Sequence, residues 1–280
     1  MTAAGTIGFD DLTTPAGRAK DVPGGSALYF SLAASRSCQV FPVAVVGDDG
    51  LALREILAAA QMDTQGVEMR PGPSYRWTAT HSAAAAPDCE VQRFGVYEGW
   101  CPVVPAAARS SDILFLGSMH PMTQLSVLGQ CQGANLVALD TMRDFISTDR
   151  ELLLELAEAS DLLFANRSEL EELTQSRGLE GARAMLGRGR LRAVVVKDGP
   201  RGAVLVTKGR ERQFPAHPVE AVVDPTGAGD SLAGGVLGHL AILRSSEEAA
   251  LERAMEVGLR AAALAISAFG ATALVKTVRR

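Results

Sequence analysis

The run Asp224–Ser231 (DPTGAGDS) contains residue types that could support transfer of a phosphoryl group. Pro225 biases Asp224 toward an extended conformation, which predicts that a strand or loop ends there. The small residues Gly227–Gly229 let a ligand approach backbone N–H groups, and the first N–H groups of a helix attract phosphate. Asp230 falls in the same turn. This pairing suits a reaction in which a carboxylate accepts a proton from a hydroxyl while the N–H groups hold the transferred charge.

Two other interpretations of this run stay open. One is an ordinary helix start, where the helix dipole favours Asp230 by roughly 0.3–1 kcal/mol. The other is a dinucleotide-binding glycine turn, which would make the protein a nicotinamide-dependent dehydrogenase. That turn normally opens the first strand–helix unit and precedes an acidic residue by about 20 positions. Here the turn lies in the last quarter of the chain and contains its own acid, which disfavours a dehydrogenase. No Walker A sequence occurs.

The elements that must position this run alternate along the chain. Apolar β-rich runs are separated by helical patterns, which is typical of a parallel sheet with crossover helices. The predicted core strands are Thr6–Phe9, Val40–Val46, Asp112–Leu116, Asn135–Leu139, Leu162–Ala165 and Ala193–Lys197. The predicted helices are Ser26–Ser35, Leu51–Ala60, Met122–Cys131, Arg150–Ala159, Leu179–Leu186, Asp230–Leu243 and Glu247–Ser267. A turn at Asp198–Gly202 predicts a hairpin.

Two segments, Leu12–Val22 and Tyr75–Val96, do not fit this alternation. Their polar and apolar residues alternate with little helical period. They are interpreted either as strands of a small accessory sheet or as surface loops.

Bulk properties limit the class of protein. A length of 280 residues allows one large α/β domain with a full core. The net charge of −5 argues against nucleic-acid binding, which needs a basic face. No apolar run reaches the ~18 residues of a membrane span, and the N-terminus lacks a signal-peptide pattern. The four cysteines and four histidines are dispersed, which favours reduced thiols over a disulfide frame or a zinc site. We therefore expect a cytoplasmic protein with no membrane partner.

Four motifs in the same order and spacing resemble the ribokinase-like, or phosphofructokinase-B (PfkB), family of carbohydrate and nucleoside kinases. They are Gly24-Gly25-Ser26, Asn166–Glu169, Val195–Gly199 with Gly202–Leu205, and Asp224–Asp230. The resemblance runs from about Thr6 to Gly270. It implies a three-layer α/β/α ribokinase-like fold over residues 1–280 as a single domain, with a mostly parallel central sheet. It also implies a small β-sheet lid made from the segments near 12–22 and 75–96. Such lids often form dimer contacts, so the resemblance suggests a homodimer.

The same resemblance implies an ATP-dependent kinase that transfers the γ-phosphate to a hydroxyl of a sugar or nucleoside. Asp230 would be the catalytic base, which is worth roughly 10²–10⁴-fold in such reactions. The N–H groups of Gly227, Ala228 and Gly229 would hold the transferring phosphate.

The donor side is expected to use a second set of residues. ATP would be bound by Lys197, Gly199, Thr226, Gly227, Gly229 and Gly270. Asn166 and Glu169 would organise Mg²⁺ through water, although their spacing also fits a helix capping box. Lys197 ends a buried strand, where it needs a partner or solvent. Asp224 lies where many relatives hold a monovalent cation, such as K⁺.

The acceptor side is expected to involve Asp10, Gly24 and Gly25 together with Asp230, and Asp10 has a solvent-facing turn as its alternative interpretation. Arg76 and Trp77 on the lid segment would cover the substrate. The sequence departs from many sugar kinases at Tyr29, where those enzymes carry Asn, which places plain ribose in doubt.

A third hypothesis is a non-catalytic sugar- or nucleoside-binding protein, or pseudokinase, although the intact Asp230, Asn166 and Glu169 argue against it.

Overall fold

The computed structural model describes residues 1–82 and 87–278. The strands of this part of the chain are β1 (Thr2–Ala4), β2 (Gly8–Thr14), β3 (Gly17–Gly24), β4 (Phe41–Val46), β5 (Val67–Met69), β6 (Tyr75–Thr80), β7 (Cys89–Arg93), β8 (Ile113–Leu116), β9 (Leu136–Asp140), β10 (Leu162–Asn166), β11 (Ala193–Lys197), β12 (Ala203–Thr207) and β13 (Arg210–Phe214). The helices are α1 (Ser26–Ala34), α2 (Leu51–Ala59), α3 (Ala106–Arg109), α4 (Pro121–Gln130), α5 (Arg143–Glu158), α6 (Arg167–Thr174), α7 (Glu180–Met185), α8 (Ala228–Leu243), α9 (Glu248–Ala265) and α10 (Thr272–Val278).

The central sheet has nine strands in the order β13-β12-β11-β10-β9-β8-β1-β4-β5. The seven strands from β11 to β5 pair in parallel, and β12 and β13 follow as antiparallel neighbours. The parallel strands are short apolar runs such as Ala193–Lys197, as expected for strands covered on both faces. The predicted hairpin is present, because the N–H of Asp198 donates to the carbonyl of Gly202 at 2.8 Å between β11 and β12.

Helices cover both faces of the central sheet. Alternate residues of a strand point to opposite faces, so Phe115 of β8 packs on one face while Leu114 and Leu116 pack on the other. Phe115 stacks on Phe30 of α1 with ring centroids 3.8 Å apart. The first face is covered by α1, α2, α8, α9 and α10, and the second by α3 to α7. This is the three-layer α/β/α arrangement that the resemblance implied.

A second sheet of four strands, the lid sheet, has the order β3-β2-β6-β7. The two segments that did not fit the α/β alternation supply its strands, so the accessory-sheet interpretation is confirmed over surface loops. Strand β2 alternates buried and half-buried residues, which is the pattern of a sheet with one covered face. Residues 83–86 of the predicted lid segment lie outside the described residues, and 94–96 enter a short 3-10 turn.

Two boundaries differ from the sequence predictions. The first core strand is Thr2–Ala4, so the predicted strand Thr6–Phe9 is wrong. Thr6 instead exchanges hydrogen bonds with Ser26 at the start of α1, which turns the chain out of the central sheet and into β2. Helix α5 starts at Arg143 rather than Arg150. Its backbone is non-helical at Asp149 (φ −131°), the residue immediately before the predicted helix start at Arg150.

Within the described ranges, no helix has both the length and the apolar character needed to cross a membrane.

Candidate active site

A cavity of about 990 Å³ lies at the carboxyl ends of the parallel strands and reaches the lid sheet. Open α/β sheets bind ligands at this edge. One part of its wall comes from the lid sheet and α1, through Asp10, Tyr29 and Trp77. Another comes from apolar residues of α9 and the segment 216–222. The start of α8 also lines the cavity, so residues that are far apart in sequence meet in one chamber.

The turn that begins α8 is the part of the chamber predicted to hold phosphate, and we call the N–H groups of residues 227–230 the anion cradle. Gly227 has a left-handed backbone (φ +71°), which favours glycine, and no side chain caps this helix among the described residues. The N–H groups of the first helical turn have no intrahelical acceptor. The Ala228 N–H donates to the Pro225 carbonyl at 3.4 Å, and the Asp230 N–H bonds to its own carboxyl group, so the N–H groups of Gly227 and Gly229 are the ones left for a ligand in the cavity.

Asp224 holds this turn in place. Its Oδ1 accepts the N–H of Thr226 at 3.0 Å, and its Oδ2 accepts the N–H of Gly270 at 2.9 Å. Asp224 is fully buried. Both carboxylate oxygens are thus used by backbone donors, which ties the anion cradle to the segment that follows α9. This arrangement does not require a monovalent cation at Asp224, and the predicted K⁺ role stays a prediction.

The carboxyl group of Asp230, the last residue of the cradle, belongs to a cluster of charged groups in which Asp140 and Glu169 are buried and Asp230 and Lys197 are half-buried. The Nζ of Lys197 donates to Asp140 at 2.8 Å and 3.0 Å, so the lysine at the end of β11 has a carboxylate partner. A methyl group added at Gly229 would lie 3.1 Å from the Lys197 Nζ. The ammonium group therefore sits directly against the anion cradle.

The cluster changes the pKa values of its members. Burial, followed by the charge of Asp140, raises the pKa of Asp230 to about 7, although Lys197 acts to lower it. Burial also raises the pKa of Glu169 to about 7. Burial alone would lower the pKa of Lys197, but the carboxylates of Asp140 and Glu169 outweigh it and hold that pKa above its usual value. Near neutral pH the cluster therefore contains carboxyl groups close to their titration midpoints.

Asn166 and Glu169 form a capping box at the start of α6. The Asn166 Oδ1 accepts the N–H of Glu169 at 2.9 Å, and the Glu169 Oε2 accepts the N–H of Asn166 at 2.7 Å. The capping interpretation of this spacing is therefore confirmed. It does not exclude the predicted Mg²⁺ role, because Glu169 Oε1 accepts no hydrogen bond from the described residues. Within those residues no three acidic, histidine or cysteine side chains group as direct metal ligands, and the predicted water-mediated role of Asn166 and Glu169 stays a prediction.

The predicted acceptor residues meet around Asp10. Asp10 is buried, and the Tyr29 hydroxyl donates to its Oδ2 at 3.4 Å. Burial, with the nearby charge of Asp224, raises the pKa of Asp10 well above its usual value. A methyl group at Gly24 would lie 1.9 Å from Asp10 Oδ2, so Gly24 makes room for this carboxylate and lies outside the cavity lining. Gly25 (φ +99°) lines the cavity and starts α1.

The two predicted lid side chains have different surroundings. Trp77 lines the cavity, and its Nε1 donates to Glu90 of β7 at 2.9 Å. Arg76 does not line the cavity; it lies over the Phe9 ring and pairs with Asp21 and Asp49. The lid therefore presents Trp77 to the cavity, while Arg76 joins the lid to the loop after β4.

Of the remaining residues predicted to bind ATP, some line the cavity and one does not. Gly199 (φ +54°) and Thr226 line the cavity, and the Thr226 Oγ1 is buried without a hydrogen-bond partner among the described residues. Gly270 (φ +57°) does not line it, and instead packs against Val22 and Pro23 of the lid sheet. The structure thus gives Gly270 a structural contact rather than a place in the cavity wall.

Comparison with known proteins identifies the family. The sequence pattern that defines "pfkB family carbohydrate kinase" matches residues 115–278. A cytidine kinase of Thermococcus kodakarensis is 30% identical over 270 residues, which cover 92% of this chain and 95% of that protein. This chain belongs to the pfkB family. The resemblance in the sequence motifs is confirmed, as is the predicted enzyme class of carbohydrate or nucleoside kinase, and nothing supports the dehydrogenase interpretation.

Solved structures of pfkB-like kinases show the same fold. The nucleoside kinase of Methanocaldococcus jannaschii has a TM-score of 0.77 at 20% identity, covering 99% of this chain and 97% of that one. The nucleoside kinase of Burkholderia thailandensis in complex with inosine has a TM-score of 0.77 at 18% identity, covering 96% of this chain and 92% of that one. At these identities the likeness establishes the fold alone.

Two features of this pfkB site were missed in the sequence. Asp140 was not predicted as a site residue, although it is the partner of Lys197 from 57 residues away. Asp198 accepts hydrogen bonds from both Arg167 and Arg201 at the cavity wall, and these side-chain bonds lower its pKa to about 2. A buried-strand lysine signals that a partner exists, but the sequence does not show which acid reaches it.

Proposed function

We propose that this kinase transfers the γ-phosphate of ATP to a hydroxyl group of a nucleoside or a related sugar, with Asp230 as the catalytic base. The observation that carries the proposal is the position of Asp230 in the first turn of α8. There it faces the cavity beside the anion cradle, with its pKa raised to about 7. A carboxylate in that position takes a proton from the attacking hydroxyl while the cradle holds the phosphoryl group.

The raised pKa is what makes Asp230 a useful base. An ordinary aspartate, with a pKa near 3.9, is a weak acceptor for an alcohol proton. A carboxylate that titrates near 7 holds the proton more firmly and is still substantially ionised at neutral pH. The proton passes from the acceptor hydroxyl to the Asp230 carboxylate as the new O–P bond forms. The bond from the γ-phosphorus to the β–γ bridging oxygen then breaks, and ADP leaves with that oxygen.

The donor half of the cavity has the charge and shape for a nucleoside triphosphate. The Lys197 ammonium lies against the anion cradle, where it supports phosphate charge. Arg167 and Arg201 share one carboxylate, Asp198, which leaves one net positive charge at the cavity wall. Beyond them Ala262 and other apolar residues of α9 offer a surface for a purine ring. A ribokinase of Cryptococcus neoformans was solved with ADP, which supports ATP as the donor here.

Magnesium fits beside the donor phosphates. Glu169 would hold it through water, because its Oε1 has no hydrogen-bond partner among the described residues while its Oε2 is used by the capping box. Asn166 keeps Glu169 in place, since its Oδ1 accepts the Glu169 N–H. When bound, Mg²⁺ neutralises charge on the phosphate oxygens.

A nucleoside fits the acceptor half better than a plain sugar does. Asp10 supplies a carboxylate for sugar hydroxyls, and Tyr75, Trp77 and Met142 supply an apolar and aromatic wall for a base. The relatives agree, since they are named cytidine kinase, nucleoside kinase and aminoimidazole riboside kinase.

A coupled ADP-release assay over pyrimidine nucleosides, purine nucleosides, aminoimidazole riboside, ribose and fructose tests this function. We expect turnover with at least one nucleoside at a kcat/KM at least tenfold above that for ribose or fructose. Turnover only with free sugars would overturn the nucleoside assignment. Acceptor binding without any ADP release would overturn the kinase mechanism and support the pseudokinase hypothesis.

A further inference from the structure

Tyr29 occupies an unusual place between the two halves of the cavity. It is the fourth residue of α1, it is 1% exposed, and it still lines the chamber. Its ring lies against Gly227, where an added methyl group would come within 2.2–2.4 Å of three ring atoms. Its hydroxyl points to Asp10, 3.4 Å from Oδ2. One side chain therefore touches both the acceptor carboxylate and the turn that forms the anion cradle.

Asp10 depends on this contact. It is buried near Asp224, Asp230 and Asp11, and each of these charges makes its ionised form less favourable. Against them, the described residues offer its carboxylate one side-chain hydrogen bond, from Tyr29. Burial together with the surrounding carboxylates also raises the pKa of Tyr29 well above its usual value, so the phenol keeps its proton and acts as a donor. A carboxylate with so few donors is suited to accept hydroxyl groups from a ligand.

We propose that Tyr29 is the positioning residue that orients Asp10 for an acceptor hydroxyl and, through its ring, sets the anion cradle at the matching distance. The inference rests on the proposed function, because it takes Asp10 as the acceptor-binding carboxylate. The hydroxyl and the ring carry separate parts of the task. The hydroxyl orients the carboxylate. The ring fills the space beside Gly227, so any side chain larger than hydrogen at position 227 would collide with it.

The two parts are separable by substitution. Tyr29→Phe keeps the ring and removes the donor to a buried carboxylate, a hydrogen bond whose loss corresponds to roughly a tenfold change in binding. We expect acceptor KM and acceptor Kd to rise about tenfold, while the KM for ATP stays within about twofold. Tyr29→Leu also removes the ring, so the KM for ATP should rise as well because the cradle loses its support.

A double-mutant cycle decides whether Tyr29 acts through Asp10. Tyr29→Phe, Asp10→Asn and the double variant are compared by acceptor Kd from calorimetry, which does not depend on turnover. If Tyr29 orients Asp10, Tyr29→Phe changes the acceptor Kd less than about twofold in the Asp10→Asn background. Equal tenfold effects in both backgrounds would overturn the proposal, as would an equal rise of the KM values for ATP and acceptor in Tyr29→Phe.

Tyr97→Phe is the matched control. The Tyr97 hydroxyl is part-buried, and among the described residues it bonds only to backbone groups of Gly5, Ile7 and Val45, outside this cavity. Its loss should lower the melting temperature without a selective effect on the acceptor. If the wild type binds an acceptor but releases no ADP, the proposed function fails while the binding cycle still decides the role of Tyr29. If turnover is normal and the cycle is additive, the inference about Tyr29 alone fails.

Discussion

The pH dependence of catalysis tests the charge cluster around Asp230. A base with a pKa of about 7 must be ionised to accept a proton, so activity is present above that pKa and is lost as the pH falls through it. At pH 6 the ionised fraction is about one tenth, and each further unit costs about another factor of ten. Because kcat/KM reports the free enzyme, its profile should rise about tenfold from pH 6 to the plateau.

Asp140→Asn is the perturbation that tests the cause of this pKa. The charge of Asp140 raises the pKa of Asp230. Lys197, which pairs with Asp140, lowers the pKa of Asp230. Removing the charge of Asp140 should therefore lower the pKa of the acidic limb of the kcat/KM profile by about one pH unit, or ~1.4 kcal/mol. With a pKa near 6, about half of the plateau activity remains at pH 6, which is about fivefold more than in the wild type on the same relative scale.

The assay is kcat/KM for the best acceptor between pH 5.5 and 9, with stability checked at each pH. Glu256→Gln is the control, because it removes one exposed carboxylate from α9, far in sequence from the cluster residues. Glu169 titrates in the same range, so the limb belongs to the coupled cluster rather than to one residue. A wild-type profile that is flat down to pH 5.5, or an Asp140→Asn limb that moves upward, would refute the reasoning.

Two further substitutions test the turn before α8. Gly227→Ala places a methyl group on the Tyr29 ring at φ +71°, so we expect a loss of at least ~2 kcal/mol in unfolding free energy and at least tenfold in kcat/KM. Gly129→Ala in α4, with nothing within 4 Å, should be neutral or stabilising in the same urea titration, and equal effects would contradict the packing argument. Asp224→Ala leaves two backbone N–H groups without their acceptor and should lower the free energy of unfolding by about 2–4 kcal/mol. A value within ~0.5 kcal/mol of wild type would show that this carboxylate does not hold the turn.

Local signals in the sequence predicted much of the fold. The runs that became β10 and β11 are apolar and bounded by turn residues, and the Asp198–Gly202 turn predicted the hairpin because its residues favour tight turns. The first strand was placed wrongly because Thr6–Phe9 is as β-prone as the true strand Thr2–Ala4. Long-range hydrogen bonds of Thr6 to Ser26 and of Ile7 to Tyr97 hold the chain outside the central sheet there, and the local sequence does not show them.

The candidate site was predictable as a set of residues but not as a set of contacts. The sequence singled out Asp230 and Lys197, since a carboxylate in a glycine turn and a buried lysine are each unusual. It did not show that Asp140 pairs with that lysine, because the two meet only when β9 and β11 lie on either side of β10. The role of Gly24 was also hidden, because it is set by the Asp10 carboxylate on a neighbouring strand.

Turnover of Asp230→Asn tests the central claim most directly. The substitution keeps the shape of the side chain and removes its ability to accept the proton. With the acceptor and ATP both saturating, the account predicts a fall in kcat of about 10²–10⁴-fold, while the acceptor Kd from calorimetry and the melting temperature stay close to wild type. A kcat within threefold of wild type would contradict the assignment of Asp230 as the base.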